Sequence, residues 1–205
     1  MKTHASRSLL AFGFLLVSFL VAQDLPVDPE VVHPFQRITV PNLTNVTAPN
    51  SSEPAVAKAG LAIILSASKL KCDPDSQVES VADSIAGESL KTLVTKISGA
   101  SCLVDGRMLR VAASFVPNGM IQANTIVASI KENKPLLIEW KGALYVLYGV
   151  VYDEHLHNSG RQDNVIRELL LIDPRHSDKR RFITFKRDRD DFGAVEGVAS
   201  ISVSQ

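Results

Sequence analysis

PLLIEWKGALYVLYGVVYDEHLHNSGRQDNVIRELLLID, residues 135–173, is the stretch that decides the fold. From Pro135 onward apolar residues recur with a period of two, and Val, Ile, Leu and Tyr dominate, which is strand chemistry. LLIEW, ALYVLYGVVY and IRELLLID read as three successive strands. RFITF (Arg181–Phe185) and GVASISVS (Gly197–Ser204) add two more. Lys141-Gly142 is a two-residue link that suits a tight hairpin.

Upstream, the period changes to that of a helix. Val56, Ala59, Gly60, Ile63, Ile64, Ala67 and Leu70 recur at spacings of three and four, with Ser52 as N-cap and Pro54 near the first turn. That stripe predicts a central helix with one buried face. Shorter helices are expected after Ser76, over Leu90–Ile97, and from Asn124 or Thr125 to about Asn133. Cys102–Phe115 includes strand, with a turn at Asp105-Gly106. Helices first and an antiparallel sheet of about five strands afterwards is an α+β plan.

Residues 23–53 read as a Pro/Asn/Thr/Ser-rich tether, because Pro26, Pro29, Pro34, Pro41 and Pro49 exclude a helix. Within it His33–Val40 has the composition of an edge strand. Asn42, Asn45 and Asn50 each begin an N-x-S/T sequon. Ahead of the tether, Lys2, His4 and Arg7 precede the apolar run LLAFGFLLVSFLVA (Leu9–Ala22). A basic start and a run shorter than the ~20 residues needed to span a bilayer predict a signal peptide over residues 1–22. An uncleaved N-terminal anchor is the other reading. The expected domain then occupies residues 54–205 of a secreted or periplasmic protein, with no stable membrane insertion once the signal is removed.

Loss of Lys2 and Arg7 turns 22 basic and 22 acidic residues into 20 and 22, a net charge near −2. Such a balance gives no electrostatic footprint for nucleic acid. No Rossmann or phosphate-loop pattern occurs, and no cofactor is expected. The two cysteines, Cys72 and Cys102, would close a loop of 31 residues (102 − 72 + 1) as a disulfide in an oxidising compartment. Asp153, His155 and His157, in DEHLH, alternate along one side if extended and offer weak zinc ligands. A solvated loop running into Asn158-Ser159-Gly160 is the plainer reading of that segment.

Ser52-Glu53-Pro54-Ala55 at the head of the central helix, the run from Gly142-Ala143 to Gly149, and Asp173-Pro174 at the end of the next strand form a familiar order. It resembles the papain-like cysteine peptidases, nearest the bacterial group related to bacteriocin-processing peptidases. The resemblance implies a nucleophilic Cys at the helix head, a base His opening the long strand and an Asp orienting it. Here Ser52 stands for the Cys, Ala143 for the His and Asp173 for the Asp; Asn45 and Val46 stand near where an oxyanion Gln is expected. The implied fold is papain-like. The implied function is an exported, non-catalytic peptide- or protein-binding or structural module, with Ser52 acting as a helix cap. The alternative is an active cysteine hydrolase using Cys72 or Cys102 with His155, His157 or His176 as base.

Overall fold

The computed structural model of the chain describes residues 30–43, 56–84, 87–118, 120–184 and 194–204. The signal segment, Ser52, Asn45 and Asn50 lie outside these residues. The elements in chain order are β1 (Glu30–Thr39), a 3-10 turn (Pro41–Leu43), α1 (Val56–Ala67), α2 (Gln77–Asp83) and α3 (Leu90–Ile97). They continue through β2 (Ser101–Val104), β3 (Arg107–Pro117), α4 (Ala123–Lys131), β4 (Leu136–Trp140) and β5 (Ala143–His157). The chain then forms β6 (Gln162–Asp173), β7 (His176–Thr184) and β8 (Val195–Ser204).

All eight strands join one antiparallel sheet in the order β2-β3-β8-β4-β5-β6-β7, with β1 paired to β5 off that path. The 15-residue β5 is its spine. Its first part pairs with β4 (Leu147 opposite Leu136) and its remainder with β1 (Gly149 opposite Thr39, His157 opposite Glu30), while β6 runs along the other edge. Lys141 and Gly142, at φ 52° and 68°, turn β4 into β5 as the sequence foretells.

This architecture corrects the expected papain-like plan of N-terminal helices and a central helix packed on about five strands. Among the described residues the sheet has eight strands, three of them ahead of Pro135, and the helices are short. The physical reason is long-range pairing. β3 finds its partner in β8, with Arg110 opposite Ser204, and β1 finds its own in β5. Neither pairing leaves a local signal. In β1, Pro34 and a bulge between His33 and Gln36 interrupt the alternation, and most of the strand is exposed. The tether segment therefore contains a strand. Pro and a bulge are also the usual blunting of an open edge, and here they accompany the exposed Val31, Val32 and Phe35.

Helices cover both faces. Gly60 of α1 faces Leu137, where a β-carbon would stand 3.3 Å from the Leu137 side chain, and the Leu90 N–H of α3 reaches Glu139. Leu136, one residue along and so on the opposite face, shares a small cleft with Thr125 and Ile126 of α4. Residues 145–153 of β5 are accordingly buried without alternation, as in a sheet covered on both sides. Ser76, at the N-terminal boundary of α2, makes no capping bond; its hydroxyl instead accepts the N–H of Leu103 in β2 (2.9 Å). Ser89 does cap α3, accepting from the Thr92 N–H.

The Cys72–Cys102 disulfide is present, with Cα atoms 5.3 Å apart, and joins the segment before α2 to β2. Both cysteines are buried. Beside it the Asp73 N–H donates to the Leu103 carbonyl (2.7 Å). Among the described residues no helix is long and apolar enough to cross a membrane.

Candidate functional site

A cleft of about 300 Å³ opens where the first turns of α1 and α3 meet the β4–β5 hairpin. Its apolar wall includes Val56, Ala57, Leu90, Ala143 and Leu144; its polar groups are Glu88, Ser89, Glu139 and Arg175. The volume is at the small end of ligand sites, and the mixture of an apolar wall with a few polar groups is typical of them.

Each charged group has an identifiable environment. Glu139 enters from β4, and its Oε2 accepts the Leu90 N–H at the head of α3 (3.1 Å). Burial pushes its carboxyl pKa up; the Leu90 bond pulls it back in part, and the neighbouring Glu196 pushes it up further. Arg175 follows β6 and is held by Asp173: Nε donates to Oδ1 (2.9 Å) and Nη2 to Oδ2 (3.1 Å). Nη2 also reaches the Tyr145 hydroxyl (3.2 Å), and the guanidinium lies over the Tyr145 ring. Burial alone would raise the Asp173 pKa, but side-chain and backbone hydrogen bonds from Arg175 outweigh it and hold the carboxyl below its usual range. Glu88 is paired with Lys96 (2.9 Å).

Ala143 lines the cleft, and Asp173 is joined to the cleft through Arg175. The Asp173 carboxylate thus grips a guanidinium. Ser52 lies outside the described residues. Cys72 and Cys102 are bonded to each other, and neither is a thiol. Among the described residues lining the cleft there is no histidine or cysteine.

The DEHLH segment is strand to its last residue, which replaces the expectation of a loop. Its three candidate ligands turn to separate partners. Asp153 accepts from the Phe35 N–H (3.0 Å) and from Arg167 Nε (2.8 Å), which pins β1 at its bulge. His155 pairs with Glu30, and His157 with Asp163 (3.1 Å). Among the described residues no group of three His, Cys, Asp or Glu side chains could hold a metal ion.

Sequence reading missed Glu139, Glu88 and Arg175. The signal for Glu139 was an acid inside the otherwise apolar LLIEW strand, at a position whose neighbours face a core. Arg175, two residues beyond Asp173, had no signal apart from that proximity. Compared with protein-family models, curated proteins and solved structures, the chain matches none.

Proposed function

We propose that this chain is an exported, non-catalytic module that binds a peptide or protein segment in the cleft in front of Ala143. The observation that carries the reading is the cleft itself: apolar walls for side chains and polar groups to orient a backbone. Export is supported by the basic start and apolar run of the first 22 residues and by the disulfide, a bond suited to an oxidising compartment. The active-hydrolase alternative loses support because both sulfurs it would use are bonded and buried. Nucleic acid is not proposed as ligand, given the mature charge near −2 (20 basic, 22 acidic).

The test is a titration of the isotope-labelled full chain with short blocked peptides, followed by amide chemical shifts. The expected shifts cluster at Val56, Ala57, Leu90, Ala143 and Leu144, with no hydrolysis of the peptides. Shifts confined to the second cleft, between β8 and α4, or cleavage of the peptides would overturn the proposal.

A further inference from the structure

We infer that the cleft selects a cationic group, an ammonium or guanidinium of the bound segment, and that Glu139 is the residue that selects it. The inference rests on the binding reading above and adds the chemistry of the ligand.

The ground is a pairing of charges around the cavity. Arg175 is neutralised by Asp173 through two hydrogen bonds. Glu88 is neutralised by Lys96. Glu139 is left with no cation partner among the described residues; its one contact is the neutral Leu90 N–H. The head of α3 offers it about half an elementary charge at most, and α3 is only eight residues long. Glu196 adds a second acid close by, with its Oε1 on the Gly142 N–H (2.8 Å) at the hairpin that borders the cavity. The wall is therefore net negative, in a place where burial weakens the screening of a charge by water.

A half-buried carboxylate with a free lone pair beside an apolar wall is complementary to a long aliphatic side chain that ends in a charge. The stem of a lysine or arginine would lie along Leu90, Ala143 and Leu144 while its head meets Glu139. Arg175 does not compete for that role, because Asp173 already holds it. A lone carboxylate is also a poor divalent-metal site, since calcium takes six to eight oxygens.

The experiment measures binding of four probes to the full chain and to Glu139→Gln: acetyl-alanyl-lysyl-alanine amide, its arginine and norleucine analogues, and trialanine amide with a free amino terminus. The wild type is expected to bind the lysine or arginine peptide, or the free-amine peptide, about tenfold more tightly than the norleucine peptide at pH 7. In Glu139→Gln that preference is expected to shrink to about threefold or less. Which cationic probe wins identifies the source of the charge. Should the variant fail to fold, the wild type alone decides: its preference is expected to fade as the pH falls to 4 and Glu139 is protonated. Equal binding of cationic and norleucine peptides, with cleft amides shifting for both, overturns this inference and leaves the binding proposal standing. Failure of all four probes to bind overturns both.

Discussion

Gly149 lies directly against Ile38: a β-carbon on Gly149 would stand 2.8 Å from the Ile38 carbonyl oxygen, and as close to the Thr39 side chain. Leu170 on β6 closes the other side at 2.9 Å. Real β-carbons do not approach backbone this closely, so the 149 position joins β1 to the spine of the sheet only as glycine. Gly149→Ala is expected to destabilise the fold by about 1–3 kcal/mol, the usual cost of overpacking. Urea denaturation measures it. An unchanged midpoint would mean that β1 does not dock where the register places it.

The Cys72–Cys102 bond closes a loop of 31 residues, worth about 3–4 kcal/mol by chain entropy. The double variant Cys72→Ala/Cys102→Ala is expected to lose stability of that order in the same assay. Thiol reagents are expected to leave the native chain unlabelled until it is reduced. Rapid labelling of unreduced protein would return a catalytic thiol to consideration.

Asp153 and Asp173 set the acid limb of stability. The hydrogen bond from Arg167 holds the Asp153 carboxyl below its usual range, against an opposing effect of burial. Asp173 is lowered too, by Arg175, after burial has been overcome. A depressed folded-state pKa contributes stability in full above the unfolded value, about 3.9, and loses it as the pH falls towards the folded value. Stability should therefore decline below about pH 4. Asp173→Asn is expected to cost about 1.5–3 kcal/mol at pH 7, and the gap to wild type should narrow in that acid range. A gap independent of pH would exclude the charge as its cause.

Glu139 behaves in the opposite sense. Its folded-state pKa is raised, chiefly by burial, so the native state retains its proton more firmly than the unfolded chain does. Stability from this group is present below the unfolded pKa, about 4.3, and falls as the pH rises through the folded value. Glu139→Gln keeps an oxygen for the Leu90 N–H and removes the buried charge. Its unfolding midpoint is expected to equal or exceed that of wild type at pH 7, with the difference vanishing below about pH 4. A marked loss of stability would mean that the Leu90 hydrogen bond, and not the buried charge, dominates what Glu139 does to folding.

The C-terminal half was legible because its information is local. The apolar strand-forming runs LLIEW, ALYVLYGVVY and IRELLLID and the Lys141-Gly142 turn name β4 to its ends, but stop β5 at Tyr152 instead of His157 and start β6 at Ile166 instead of Gln162. The stripe from Val56 likewise names α1. What stayed hidden depends on partners distant in sequence. The edge-strand composition of His33–Val40 pointed to β1, but its start at Glu30 and its pairing with β5 more than 100 residues away, for example Phe35 with Asp153, had no local signal, and Pro34 is a counter-signal. Of the residues singled out in the sequence, Ala143 lines the cleft. Asp173 was read as a carboxylate orienting a base, whereas Arg175 two residues later claims it. Asp153, His155 and His157 share a spacing that suits metal, but their cross-strand partners are set by register, and no periodicity reveals those.

Filling the cleft before Ala143 decides whether a partner sits there. Calorimetric titration of the lysine tripeptide into wild type and into Ala143→Trp, with thermal unfolding confirming that both are folded, gives the answer. Binding to wild type and its loss in the variant is the expected result. Equal affinity for both would contradict the account.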